Sequence, residues 1–315
     1  MFKALIGQSP NFEAMLRSAK MVALTDVTVL ITGETGTGKE VLANALQRHS
    51  PRAAQPFVTL NCAALPEALV ESELFGHRRG AFTGAVANQV GRLQAADGGT
   101  LFMDEVDSLP LPIQAKLLRF LETGEIQPVG DTHSQRVDVR VIAAANSNLD
   151  KRIAAGEFRK DLFYRLNVVP LHIPPLRERS GDVQLLLTHF MRHFANEHKL
   201  PSPTVSKSAL QRLQDHAWPG NVRELRNVCE RLSILLAGRA IEESNLPREI
   251  LNPPAASPKD NSFALPEGGI ELEKVELDLI QQALARTNGN RSRSARLLGI
   301  SRDTLLYRMH KHNLR

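Results

Sequence analysis

The stretch "VTVLITGETGTGKEVLANAL", residues 27–46, constrains the fold more than any other. A short β-branched run leads into a glycine-rich loop, and the loop leads into a helical pattern. Gly33, Gly36, Gly38 and Lys39 match the phosphate-cradle pattern up to its last position, where Glu40 stands in place of Ser or Thr. Glycines let the backbone N–H groups of the loop, from Gly33 through Glu34, Thr35, Gly36 and Thr37 to Gly38, close around phosphates. The helix N-terminus adds its dipole, and Lys39 supplies a point charge for the outer phosphate oxygens. A strand that feeds a helix through such a loop belongs in an α/β fold with a parallel sheet.

Four further runs read as strands of that sheet: "PFVTLNC" (56–62), "TLFMDE" (100–105), "VRVIAAAN" (139–146) and "VVPLHI" (168–173). They are nearly continuous in apolar character, as strands buried on both faces are. From about Gly181 the period changes to 3.6, and three amphipathic helices follow in 182–238. The stretch 252–269 is rich in Pro, Ser and Gly and reads as a linker. The last 45 residues are helical again. The expected division is an α/β nucleotide-binding subdomain over 1–178, a helical lid subdomain over 179–251, a linker over 252–270 and a small all-α domain over 271–315.

Composition narrows the setting. No apolar run reaches the ~18 residues of a membrane span, and the N-terminus lacks a signal-peptide pattern. A cytoplasmic location without membrane contact is expected. Cys62 and Cys229 lie outside any metal-type spacing and read as free thiols. Net charge is +5, but unevenly spread: from Arg286 onward there are eight Lys/Arg against the single acid Asp303. That imbalance suits nucleic acid, or else a solvated basic face.

"GGTLFMDEV" is the expected companion of the glycine loop. An apolar strand ends in Asp104 and Glu105, 65 residues after Lys39. A carboxylate at the carboxyl end of a parallel strand faces the crevice beside the cradle. Asp104 is the candidate holder of Mg²⁺, directly or through water, and Glu105 the candidate that orients and activates the attacking water. Asn146, at the end of another strand, is placed to touch the γ-phosphate or the water, or simply to cap the strand. In "GEFRKDLFYRLN" Arg159 and Arg165 are six apart, about 120° around a helix. They are surface arginines or fingers reaching a neighbouring subunit's phosphate.

"GAFTGA", residues 80–85, carries no acid–base pair, nucleophile or metal ligand. Gly80 and Gly84 permit a tight, mobile tip. Phe82 and Thr83 offer apolar area and a hydroxyl, suited to a partner or to folding back into the core.

Taken with "GETGTGKE", "LNCAAL", "ESELFGHRRGAFTGA", "GGTLFMDEV", "FRKDLFYRL", "IPPLRER" and "WPGNVRELRN", this motif makes the chain resemble the AAA+ ATPases of bacterial enhancer-binding proteins, which activate the sigma-54 form of RNA polymerase. The resemblance covers nearly the whole chain. It implies a P-loop fold with a helical lid, ATP with Mg²⁺ as cofactors, and a homo-oligomer, from dimer to a hexameric ring with ATP between subunits. It implies that Gly80, Ala81, Phe82, Thr83, Gly84 and Ala85 contact sigma-54. It further implies that Asn61 holds Glu105 and relays nucleotide state to the loop, that Arg223 is the lid's sensor arginine, and that Arg159 and Arg165 are the fingers. Ala145, where many relatives have Thr, departs from the pattern.

The tail "ELDLIQQALARTNGNRSRSARLLGISRDTLLYRMHKHNLR" reads as three helices, broken at "NGN" (288–290) and at Gly299–Ile300, with Ser301 capping the last. Ala295, Leu297 and Leu298 are available for its core. Arg302, Asp303, Thr304, Tyr307, Arg308 and Lys311 lie on or near the recognition helix of a helix-turn-helix, and Arg291, Arg293 and Lys311 suit phosphates of double-stranded DNA. The pattern resembles the Fis-type domain of enhancer-binding proteins; a dimerisation hairpin is the other reading of the three helices. The whole therefore reads as a sigma-54-dependent activator. A nucleotide-regulated DNA-binding repressor, or a general AAA+ remodeller, competes with that reading. Because the α/β core starts within a few residues of Met1, no preceding sensory domain is expected. Control then falls to a separate regulatory protein or to abundance, unless the chain is a trimmed piece.

Overall fold

Apolar runs that are hydrophobic at every position need cover on both faces, and the sheet of this protein has it. The computed structural model describes residues 2, 4–146, 149–251, 271–287, 289–312 and 314. The linker expected over 252–270, and Asn288 of the expected helix break, lie outside the described residues. Two units are formed, Met1–Pro253 and Pro254–Arg315.

In the first unit five strands, β1 (Val29–Thr32), β2 (Phe57–Asn61), β3 (Thr100–Asp104), β4 (Arg140–Ala145) and β5 (Val169–His172), form one parallel sheet in the order β2-β3-β4-β1-β5. The longer helices of this layer are α1 (Pro10–Ala23), α2 (Lys39–Arg48), α3 (Glu67–Phe75), α4 (Leu111–Thr123) and α5 (Lys160–Leu166). Side chains alternate across the sheet. Val29, Ile31, Phe102, Ile142, Ala144 and Leu171 pack against α1 and α2. Leu30, Leu60, Leu101, Met103, Val141 and Ala143 face the other way, into α3, α4 and α5. Each fully buried Leu or Ile contributes about 1.5–3 kcal/mol, so this two-sided core fixes the register. In that register Asn61 pairs with Asp104, and Thr32 with Ala145, at the carboxyl edge.

The lid consists of α6 (Asp182–Glu197), α7 (Lys207–Asp215) and α8 (Asn221–Leu235) around Trp218, which is fully buried and donates its indole N–H to Leu213 O at 2.9 Å. Its period is not purely helical: Thr204–Val205 and Ala240–Ile241 form a short parallel pair, each too brief to register as a strand pattern.

The second unit consists of α9 (Leu272–Arg286), α10 (Arg291–Leu297) and α11 (Arg302–Lys311), packed through Ile280, Ala295, Leu305 and Met309. Leu298 joins this cluster, but Leu297 does not; it is 60% exposed, which corrects the sequence expectation. At about 100° per residue, Leu297 lies about 200° round the helix from the inward Ala295, whereas Leu298 returns to within about 60° of it. Ser301 caps α11 by accepting from Thr304 N–H at 3.1 Å.

Candidate functional site

The carboxyl ends of β1, β3 and β4 converge on a cleft of about 640 Å³ that the lid roofs. The loop after β1 turns tightly through Gly36 (φ +81°) and Gly38 (φ +103°), and Gly38 caps α2 in the left-handed region where glycine is strain-free. Lys39 is buried at the first turn of α2. Its Nζ donates to Gly33 O at 2.8 Å, to Glu34 O at 3.2 Å and to Asn146 Oδ1. Burial pulls its pKa below the usual lysine value, and Asp104, Glu105 and Asp107 partly oppose that.

Asp104 ends β3, and burial raises its carboxyl above the ordinary range, against the Glu105 N–H that donates to its Oδ1 at 3.0 Å. Glu105 sits at φ +54°, ψ +42°, a left-handed conformation that costs a non-glycine residue about 1 kcal/mol or more. There its Oε1 accepts from Asn146 Nδ2 at 2.7 Å. Asn146 thus bridges the loop lysine and Glu105.

This corrects one expectation. Asn61 does not hold Glu105 in this structure; its Oδ1 accepts from the N–H groups of Ala63 and Ala64 at 2.9 and 3.0 Å, stabilising the turn that follows β2. Only the Nδ2 amide of an Asn can donate to a carboxylate, and here Asn146 rather than Asn61 does so. Asn61 nonetheless lines the cleft beside Asp104.

The side chain of Glu34 is engaged on the lid side of the loop. Its carboxylate turns from the cradle to the lid, accepting from Arg177 at 2.8 and 2.6 Å and from Asn221 Nδ2 at 3.1 Å. The hydrogen bonds from Arg177 chiefly hold its pKa below the ordinary range. Thr37 is buried and donates to Glu34 O at 2.8 Å, bracing the loop, while Thr35 and Glu40 line the cleft.

The lid meets this loop through Arg223, expected as the sensor arginine, and through residues to which the sequence assigns no role. Asn221 is fully buried at φ +52°; it accepts from Leu176 N–H at 2.8 Å and donates to Thr35 O at 3.1 Å. Arg223 N–H donates to Gly36 O at 3.2 Å, and the Arg223 side chain lines the cleft together with Arg226. A Cβ on Gly36 would lie 2.3 Å from Gly220 O, so this close approach requires glycine. Opposite, Leu5, Ile6, Phe190 and Val222 give the cleft an apolar end. The segment carrying Ile6 is pinned by the buried Arg179–Asp182 pair: Arg179 donates to Ile6 O, and Asp182 accepts from the N–H groups of Gln8 and Ser9. These groups carry no catalytic chemistry, and only "IPPLRER" and "WPGNVRELRN" signalled any of them.

Arg159 and Arg165 are exposed and do not line their own chain's cleft. Arg159 is the residue before α5 rather than a member of it, paired with Asp161 at 2.7 Å; Arg165 donates to Leu121 O at 2.9 and 3.0 Å. The helical angle expected between the two arginines therefore does not apply.

The loop at residues 80–85 closes on itself by Gly80 N–H to Ala85 O at 2.9 Å. Gly80 and Gly84 take φ +81° and +106°, Ala85 is buried, Ala81 is half-buried, and Phe82 and Thr83 are exposed at the tip.

In the second unit Arg302, Asp303 and Tyr307 are exposed at or near the start of α11, with Thr304 half-buried; Arg291 and Arg293 are exposed at the start of α10. Arg308 and Lys311, both expected to meet DNA, are ion-paired to Glu276 and Glu273 of α9. Their charge is partly spent inside the unit.

The chain is similar to known proteins over nearly its whole length. Residues 5–172 match the sigma-54 interaction domain, residues 177–262 the AAA+ ATPase lid domain, and residues 271–312 the bacterial regulatory protein, Fis family. The chain is 45% identical over 310 residues to the C4-dicarboxylate transport transcriptional regulatory protein DctD of Rhizobium meliloti, covering 98% of this chain and 64% of that one. It is 46% identical over 308 residues to the transcriptional regulatory protein ZraR of Salmonella typhimurium, covering 98% and 68%. A crystal structure of NtrX from Brucella abortus in complex with ATP is similar with a TM-score of 0.72 and 36% identity, over 98% of this chain and 68% of that one. The chain spans roughly two thirds of the length of these relatives. It belongs to the sigma-54-dependent transcriptional activators, with an AAA+ P-loop ATPase domain, a helical lid and a C-terminal Fis-type helix-turn-helix.

Proposed function

We propose that this protein binds upstream DNA through its last domain, assembles as a ring, up to a hexamer, and hydrolyses ATP to remodel the closed complex of sigma-54 and RNA polymerase. The observation that carries the reading is the Lys39–Asn146–Glu105 chain at the mouth of the cleft. Lys39 rests on carbonyl and amide oxygens that a γ-phosphate would outcompete in charge. Drawing Lys39 to the phosphate frees the Asn146 amide to turn, and with it the Glu105 carboxylate, which orients the attacking water.

Mg²⁺ fits the donor set. Among the described residues no three His, Cys, Asp or Glu converge as a metal centre. This ion needs only one or two protein carboxylates beside phosphate oxygens and water, and Asp104 supplies one. Bound with the nucleotide, it would neutralise charge developing on the β- and γ-oxygens. Arg159 and Arg165 serve the neighbouring subunit's cleft, and Arg223 reads the nucleotide from the lid. The exposure of Arg159 and Arg165 outside their own chain's cleft supports action in trans. The change at Glu105 reaches Phe82 and Thr83 through the carboxyl edge of β2 and β3, where Asn61 stands in register with Asp104.

This function belongs to the cytoplasm, where polymerase and promoter DNA meet; among the described residues no helix is long and apolar enough to cross a membrane. The test is a native gel with purified sigma-54 and ADP–aluminium fluoride. A shifted complex that requires the mimic and disappears in Thr83→Ala is expected. Absence of a complex, with ATPase activity and DNA binding intact, would overturn the sigma-54 step.

A further inference from the structure

The loop that carries Phe82 leaves the α/β body next to a buried imidazole that has no part in the nucleotide cleft. His77 is 8% exposed. Its Nδ1 lies 2.6 Å from the hydroxyl of Ser72 on α3, and its ring centroid lies 4.9 Å from that of Phe82, inclined at 59°. The backbone of His77 is fixed on two sides: it pairs antiparallel with Gln89 and bridges to Val129. The preceding Gly76 sits at φ +84°, and a Cβ there would meet Gln89 O at 2.6 Å, so this approach admits only glycine. The imidazole therefore cannot travel with the loop. The tip can: Phe82 is 39% exposed, and a Cβ on Gly80 or Gly84 would meet nothing within 4 Å.

We propose that His77, oriented by Ser72, is the resting plate of Phe82, and that presenting Phe82 to sigma-54 requires breaking this ring contact. His77 is then a positioning residue that sets the fraction of molecules with the loop presented. The inference rests on Phe82 and Thr83 being the sigma-54 contact. A tilted aromatic pair biases such an equilibrium by about three- to tenfold.

The experiment has two arms on the full chain. In the first, Phe82→Trp reports the tip, with the buried Trp218 as constant background. Adding His77→Ala or Ser72→Ala should red-shift the emission of the introduced indole and raise its acrylamide quenching, whereas Ser72→Thr, which keeps the hydroxyl, should leave both unchanged. In the second arm, with Phe82 restored, His77→Ala should form the sigma-54 complex about three- to tenfold more tightly without ADP–aluminium fluoride, at unchanged basal ATPase rate. Identical tip emission and quenching in all variants would overturn the proposal. So would weaker sigma-54 binding by His77→Ala with ATPase intact, because the ring would then help presentation. Should His77→Ala fail to fold, Ser72→Ala decides alone. A change in tip emission accompanied by a sigma-54 complex that survives Phe82→Ala and Thr83→Ala would leave the plate standing and remove the partner reading.

Discussion

Glu105 and Gly36 show how single positions divide the work of the site. Glu105→Gln keeps the size and a hydrogen bond to Asn146 but cannot take a proton. It should bind nucleotide normally and lose about 10²- to 10⁴-fold in kcat, measured by steady-state ATPase against equilibrium nucleotide titration. Gly36→Ala attacks closure instead. Its Cβ would collide with Gly220 O at 2.3 Å in a φ of +81°, so the lid should stand away from the loop and nucleotide affinity should fall, while the α/β core keeps its melting behaviour. The motif residues Lys39, Asp104 and Glu105 were legible in the sequence, because their chemistry requires those types at the ends of strands. Which amide holds Glu105 was not legible: Asn61 and Asn146 both end strands, and only the tertiary structure brings the Nδ2 of Asn146 to Glu105 Oε1.

At the scale of elements, the junction of α8 with the glycine loop is held by polar groups in a buried place. Asn221→Ala leaves Leu176 N–H without its acceptor and puts alanine at φ +52°. It should cost about 2–3 kcal/mol, seen as a lower denaturant midpoint, and Asn221→Gly should recover the backbone part. The Glu34–Arg177 pair adds a pH dependence. Hydrogen bonds from Arg177 hold the Glu34 pKa below its ordinary 4.5. A depressed carboxyl contributes stability that is present above that ordinary value and lost as pH falls through the folded one. Hydrogen exchange at the Arg223 amide should therefore quicken as pH falls below about 4.5 after correction for intrinsic rates, and Glu34→Gln should remove that step. The elements themselves were readable from periodicity: the five strand runs hold to within one or two residues at each end. The lid's short strand pair, and the exposure of Leu297, were not, since two-residue strands carry no period and a short helix shows no clear face.

For the whole molecule, the arginines and the DNA-binding unit make separate predictions. If Arg165 acts on a neighbouring cleft, Arg165→Ala and Glu105→Gln should each be nearly inactive, yet a mixture should recover ATPase activity, because some interfaces then join an intact Glu105 to an intact Arg165. No recovery would place Arg165 in its own site. On DNA, Arg291→Ala should lower the slope of log affinity against log salt by about 0.9. Lys311→Ala should lower it less, since Lys311 donates to Glu273 at 2.8 Å. The sheet, the cradle, the loop at 80–85 and the basic tail follow from local pattern: apolar period, glycine where φ must be positive, charge by position. Which groups meet depends on the packed fold. Asn146 meets Glu105, Glu34 meets the lid, Arg308 and Lys311 meet the acids of α9, and His77 meets Phe82. Most of these pairings join residues distant along the chain, and hydrogen-bond partners are chosen by a few tenths of an ångström that no local pattern carries.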